Sequence, residues 1–453
     1  MVQRALRIGA GAGYAGDRIP PALALAEKGQ LDYLIFECLA ERTIALAQLE
    51  KTQNPMQGFD PLLAARMKAV LPACMAHGTR IITNMGAANP LQAGREVLAV
   101  AKALGFHQLK VAVVLGDDVL DMLQAEYLSE PLMDSSQTVA DIQHLLVSAN
   151  AYLGAEALLP ALQTDAHVIV SGRVADPALF LAPLMHHFQW RADDWPLLGK
   201  GVMVGHLLEC AAQITGGYFA DPGFKDVPNL AQLGYPLAEV NASGDVVITK
   251  LVDAGGCVTV QTCTEQLLYE IEDPTQYLQP DVVADFSQVH LVQVGADRVQ
   301  ALGASGTTRP DTLKVTLGYR DGFVGEGQMS YAGLGAKARG QLALDVVKAR
   351  LADAGYGHFE ARYDLIGMNA ILGDTQPSNE PAEVRARIAV RVTTHAEALY
   401  VANEVEALYT NGPASGGGAS KSVREVIAVA SMLMPRSAIP TQTVLLDGLE
   451  ELA

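Results

Sequence analysis

No uninterrupted apolar stretch of membrane-spanning length occurs in the 453-residue sequence, and the N-terminal MVQRALRIGAGAGYAGDR lacks the sustained apolar core of an export signal. Neither membrane insertion nor export is expected. Basic residues are scarce: 32 Lys and Arg against 50 Asp and Glu leave a formal net charge of -18. Such a surface repels a polyanionic backbone, and with no basic patch to offset it, nucleic-acid binding is not expected. The five cysteines, Cys38, Cys74, Cys210, Cys257 and Cys263, are too scattered for a disulfide framework and form no C-x-x-C pair. That pattern suits a cytoplasmic protein. Internal repeats, heptad runs and low-complexity linkers are also missing.

With half its residues hydrophobic and 18% charged, a chain of this length can bury a large core and form two or three domains. The fold class expected is α/β. Within residues 1–235 the short apolar runs ALRIGAG, DYLIFEC, TRIITNM, LKVAVVLG and AHVIVSG read as buried strands, apolar almost throughout, as in a mainly parallel sheet covered on both faces. Helical spacing occupies ALALAEKG, GREVLAVAKALG and NAYLGAEALLPAL between them. From residue 236 to 453 the texture changes. VVITKLV, CVTVQTCTEQLLYEI, QVHLVQVG, TLKVTLGY and RARIAVRVTT are β-branched, and two long amphipathic helices interrupt them, so an α+β second domain is expected there.

In a parallel sheet, ligands gather beyond the carboxyl ends of the strands. Polar residues cluster there. Gly11, Gly13 and Asp17 follow the first strand, Glu37 ends the second, Asn84 ends the third, Asp117 follows the fourth, and Arg173 and Asp176 follow the fifth. The glycines satisfy G-x-G-x-x-G, which reads either as a tight strand-to-helix turn or as a phosphate or carboxylate cradle. Arg173 can grip an anion with two parallel hydrogen bonds, or pair internally with Asp176.

The densest departure from ordinary core patterning is the run Ser171–Asn229. In GHLLEC, His206, Glu209 and Cys210 are spaced i, i+3 and i+4, on one face of a helix. The face suits proton exchange, or a thiolate nucleophile if Cys210 is activated; a packed core histidine and a buried cysteine are the plain alternative. For a metal the set is incomplete, since Glu37 or Asp221 would have to join from elsewhere, and no metal or other required cofactor is expected. Thr215, Gly216 and Gly217 then stop the helix and can also line a pocket, with Asp221 in the following turn.

SANAYLGAEAL, IVSGRVADPAL, GHLLECAAQITGGYFADPG and KDVP, together with RIGAGAGYAGDR, DYLIFECLAE, EQLLYEIEDP and NGPASGGG, resemble the acyclic terpene utilisation protein A family over most of the chain. The resemblance implies a place in a pathway running through acyl-CoA intermediates, without naming a reaction. It also draws Gly416, Gly417 and Gly418 into consideration as an amide nest or a channel for a CoA arm. Longer relatives look as if they append a small ferredoxin-like domain, so a separate subunit of that kind is a conceivable partner.

The expectation is a catabolic enzyme acting on a small carboxylate or acyl-CoA as a lyase, hydratase or hydrolase, with CoA as part of the substrate, in a homo-oligomer. Glu37 or Glu209 would move the proton, His206 would relay it, Arg173 and glycine amides would hold the oxyanion, and Cys210 or water would attack in a hydrolase. The alternative is a noncatalytic subunit that binds an acyl ligand and works with the ferredoxin-like protein.

Overall fold

The computed structural model describes residues 4–133, 135–373 and 380–447. The strands in chain order are β1 (Leu6–Ala12), β2 (Tyr33–Phe36), β3 (Arg80–Thr83), β4 (Lys110–Leu115), β5 (Leu146–Ala151), β6 (Val168–Ser171), β7 (Pro236–Val240), β8 (Val246–Lys250) and β9 (Tyr277–Leu278). They continue with β10 (Val283–Asp285), β11 (His290–Gly295), β12 (Arg298–Leu302), β13 (Ser305–Thr307), β14 (Thr312–Ala332), β15 (Glu360–Ile366), β16 (Glu383–Val392), β17 (Gly417–Pro435) and β18 (Gln442–Asp447).

The chain forms two compact units, one of residues 1–318 and 429–453, the other of residues 319–428. A mixed ten-stranded sheet, ordered β11-β12-β8-β7-β1-β2-β3-β6-β4-β18, organises the first unit. Its centre, β1-β2-β3-β6-β4, is parallel. Both flanks are antiparallel: β7 pairs with β1 on one side and β18 with β4 on the other. The expected α/β class holds, but within this sheet parallel pairing is confined to these five strands. They are the runs read as parallel from sequence, near-continuous in apolar residues because both faces are buried. Helix Ile19–Lys28 packs on Leu63–His77, which packs on Pro90–Ala103, while Ala178–Phe188 packs on Trp195–Glu209. By the right-handed rule for parallel crossovers the first three cover one face, and the last two helices both pack against β1, Ala178–Phe188 also against β2 and Trp195–Glu209 also against β7.

Three local expectations change. Much of the β-branched region beyond residue 236 joins the sheet of the first unit through β7, β8, β11, β12 and β18. A β-branched texture records a pleated, half-buried environment and not which core the strand joins. NAYLGAEALLPAL does not form one helix, because its first two residues end β5, which pairs with β14, and only short turns follow. CVTVQTCTEQLLYEI contains the helix Val260–Leu268, started by Thr259, whose side chain accepts from the Thr262 amide. Capping outweighed the strand preference of the β-branched residues.

The second unit packs helices Ala336–Asp353 and His395–Glu406 with the sheet of β15, β16 and the residues of β14 that belong to it. In β16, Val384, Ala386, Ile388, Val390 and Val392 alternate into this core. On the opposite pleat, Arg387 pairs with Glu326 and Asp364. No helix among the described residues is long and apolar enough to cross a membrane.

One buried cation anchors the strand ends of the first unit. Arg66, on Leu63–His77, is wholly buried. Its guanidinium pairs with Asp60 at 3.2 Å and donates to the backbone carbonyls of Tyr14, Ala15 and Asp17 and to the sulfur of Cys38. Removing one partner of a buried pair strands the other charge, at a cost of about 3–5 kcal/mol. Arg66→Ala should therefore lower the urea unfolding midpoint by an amount equivalent to that loss; an unchanged midpoint would show that the network does not hold the strand ends.

Candidate functional site

Beyond the carboxyl ends of the central strands lies a cavity of about 1140 Å³, lined entirely by residues of the first unit. Gly13 and Asp17 reach it from β1, Glu37, Leu39 and Glu41 from β2, and Arg173 and Asp176 from β6. Glu209 and Cys210 enter from the end of Trp195–Glu209, with Tyr152, Tyr277, Glu270 and Lys314 completing much of the polar wall. The positions of two glycines explain how these segments meet. A Cβ on Gly205 would fall 2.5 Å from Pro177 Cα, so the helix packs backbone to backbone against the Arg173–Pro177 turn. A Cβ on Gly13 would fall 2.4 Å from the Cys210 carbonyl carbon, so the loop after β1 abuts the helix end.

Glu37 is buried, and its Oε1 accepts from the Leu39 amide and from Asn84 Nδ2, each at 2.9 Å. Asn84 in turn accepts from the Cys38 amide at 2.8 Å. Asn84 therefore stands behind the cavity as a support for Glu37. Burial, with the Asp176 carboxylate nearby, raises the Glu37 carboxyl well above its usual range, against the pull of Arg173 and Asn84. Glu37 keeps its proton well beyond the pH at which an exposed glutamic acid would lose it.

Arg173 is held on every side but one. Its amide donates to Asp117 Oδ2 at 2.8 Å, Nη1 donates to the Leu39 carbonyl and Nη2 to Asp176, and the guanidinium lies 4.1 Å from the Tyr152 ring centroid. Only Nε, buried, has no partner. Asp117 also accepts from Asn150 and lies outside the cavity lining; burial pushes its carboxyl up to about 6. A further carboxylate, Glu41, accepts from Lys314 Nζ at 2.7 Å and from the Tyr152 hydroxyl at 3.0 Å. Burial would raise Glu41, but these partners hold it below its ordinary value.

His206 and Glu209 form a pair at 2.9 Å between Nδ1 and Oε1. His206 Nε2 lies 3.2 Å from the Leu267 carbonyl, which can only accept, so Nε2 carries a hydrogen. One further proton is then shared between Nδ1 and Oε1. His206 is fully buried, in contact with the rings of Tyr277 and Phe286. It lies outside the cavity lining, whereas Glu209 belongs to it, and Glu209 Oε2 has no hydrogen-bond partner. Burial raises Glu209 to about 7 although His206 pulls it down. Cys210 lines the cavity too, but burial and the Glu209 carboxylate push its thiol up, opposite to what a thiolate nucleophile needs.

A model of the family described as acyclic terpene utilisation family protein AtuA matches residues 6–445, nearly the whole chain. The chain belongs to this family. No curated protein and no solved structure gave a significant match.

The remaining sequence candidates lie in different settings. In this family member the Gly13 amide already donates to Asp17 at 2.6 Å, so the cradle read from the glycine motif is occupied by the chain's own carboxylate. Gly11 lies outside the lining, against the Phe36 ring. Thr215 spends its hydroxyl on the Gly234 and Ala212 carbonyls, Gly216 packs near Val227, and Gly217 alone of the three lines the cavity. Asp221 closes an exposed turn with Lys225. Gly416, Gly417 and Gly418 belong to the second unit and are not part of this lining. Among the described residues no group of three or more His, Cys, Asp or Glu is arranged to hold a metal.

Sequence reasoning missed Tyr152, Tyr277, Glu270 and Lys314; Tyr152 and Glu270 fall within the family-like runs SANAYLGAEAL and EQLLYEIEDP, whereas Tyr277 and Lys314 arrive without a local motif. Glu41 had a signal, since FECLAE sets two carboxylates four residues apart across the end of β2. Removing His206 removes the group that draws Glu209 down. His206→Asn should therefore move the Glu209 titration upward from about 7, as read by carbon NMR of labelled glutamate; a downward or absent shift would break the proposed coupling.

Proposed function

We propose that the chain is a catabolic enzyme of the lyase or hydratase type, acting on a small carboxylate or acyl-CoA in acyclic terpene utilisation. The observation that carries this reading is that one cavity is lined by two buried carboxyl groups tuned apart. Glu37 is held protonated by burial, and Glu209 titrates near neutrality beside His206. Paired carboxyl groups in unlike environments are the usual basis for dividing acid and base roles.

In the hydration direction, Glu209 takes a proton from water as the water oxygen bonds to the β-carbon of an α,β-unsaturated acyl group. The electron pair moves through the double bond to the carbonyl oxygen, where the Glu37 hydroxyl donates a hydrogen bond to the developing charge. Glu209 then returns its proton to the α-carbon, so that one water is added and the carboxyl groups end as they began. Dehydration is the reverse. His206 acts as a positioning residue: it orients Glu209 and shares its proton without reaching the substrate. The reading leaves Cys210 as a neutral cavity-wall thiol.

Assay of unsaturated branched-acyl thioesters and acids in isotopically labelled water should show uptake of solvent oxygen or hydrogen. Glu209→Gln is expected to reduce the rate by about 10²–10⁴ while leaving circular dichroism unchanged, and Glu37→Gln by about 10² or more. As Glu209 must be ionised to accept a proton, the wild-type rate should rise with pH through about 7 and fall again where Glu37 deprotonates. No solvent uptake by any compound would remove the enzymatic reading and favour a noncatalytic acyl-binding subunit.

A further inference from the structure

The cavity contains three cationic side chains, Arg42, Arg173 and Lys314, against six carboxyl groups, Asp17, Glu37, Glu41, Asp176, Glu209 and Glu270. Their pairing decides what can enter. Lys314 is taken by Glu41 at 2.7 Å, Arg173 by Asp176 and the Leu39 carbonyl, and Arg42 is exposed. Each inner cation already sits in an ion pair, so an incoming carboxylate would have to compete with Asp176 or Glu41. It would also face the remaining carboxyl groups across a partly desolvated space.

Two buried polar atoms are left without a partner. Glu209 Oε2 and Arg173 Nε have no partner, on cavity-lining residues that are 6% and 2% exposed. A side chain with a hydroxyl that needs no counter-charge also lines the space: Tyr277, whose phenol is held in the neutral form by burial and the surrounding carboxylates. Apolar side chains, including Leu39, Leu278, Leu313, Val429 and Leu433, line the same cavity and suit a hydrocarbon chain.

We infer that the site is built for an uncharged carbonyl attached to a hydrocarbon, an ester or thioester, and discriminates against the corresponding free carboxylate, because its inner cations are already paired. This inference deepens the proposed function and rests on the same cavity. It places activation of the acid, by conversion of carboxylate to thioester or ester, before the step performed here. The neutral carbonyl oxygen accepts from the donors, so charge appears on it only as the reaction proceeds, where hydrogen bonds strengthen.

The test is a calorimetric comparison of binding to the full chain, using a matched branched medium-chain pair, the free acid and its N-acetylcysteamine thioester. This small carrier is uncharged, so nucleotide phosphates play no part in the result. At a pH of about 7.5, where the acid is ionised, the thioester should bind at least about tenfold tighter, a difference of about 1.4 kcal/mol. Asp176→Asn, which frees Arg173 for an anion, should narrow the preference by strengthening acid binding about tenfold. Equal or tighter binding of the acid by the wild-type chain would overturn the inference, as would binding of neither compound. A CoA thioester that binds while the N-acetylcysteamine thioester does not would also overturn it, by assigning recognition to the carrier. The outcome is separable from the hydratase reading: a bound thioester without solvent uptake upholds the selectivity and sinks the reaction, whereas an acid that binds tightly and is turned over does the reverse.

Discussion

A guanidinium shut away from water must be surrounded by oxygen, and the candidate site is arranged around one such group. Arg173 sits just past β6 and reaches the Leu39 carbonyl beyond β2, Asp176 in its own turn and the Tyr152 ring beyond β5, while its amide is fixed by Asp117 beyond β4. The guanidinium's partners belong to the ends of β2, β5 and β6, and the backbone amide ties in the end of β4, so this one residue links four segments. Arg66 does the same one step further back, gathering the carbonyls that follow β1 and the Cys38 thiol. The carboxyl edge of the sheet is held by ion-dipole contacts, while its interior is held by apolar packing.

That arrangement has electrostatic consequences for the cavity wall. Because the cations are consumed in holding the loops, the carboxyl groups of Glu37 and Glu209 are buried without full compensation: Glu37 is raised well above its usual range, and Glu209 is raised to about 7. Glu41, with Lys314 directly against it, is drawn the other way. Carboxyl groups around one space thus fall into ionised and protonated classes, which acid-base chemistry requires. His206 contributes from behind by sharing a proton with Glu209, and its contact with the Leu267 carbonyl fixes which nitrogen is available.

The sequence disclosed the central strands because a strand buried on both faces leaves a continuous apolar run, as in Tyr33–Phe36 and Val168–Ser171. It also disclosed the polar strand ends, since Glu37, Asn84, Asp117 and Arg173 interrupt that pattern. Helix Val260–Leu268 was obscured by its own β-branched residues, and β5 by a mixed pattern that fits a helix as well as a strand. The glycine motif was visible while its occupant was not: Asp17 folding back on the Gly13 amide is a matter of side-chain direction, which spacing leaves open. Likewise, i, i+3 spacing set His206 beside Glu209, but which of them meets the cavity depends on how the helix is rotated against Pro177.

By itself the sequence determined the family, the mixed α/β character, the parallel core strands and the residue types available for proton transfer, because these follow from local periodicity and from recurring motifs. Tertiary structure alone decided which charges neutralise one another. Lys314 and Glu41 are far apart in the chain, as are Arg173 and Leu39, and no local pattern records their meeting. Protonation, and with it the kind of ligand head the cavity accepts, is set by desolvation and by these long-range pairs, quantities that exist only once the strand ends have been brought together.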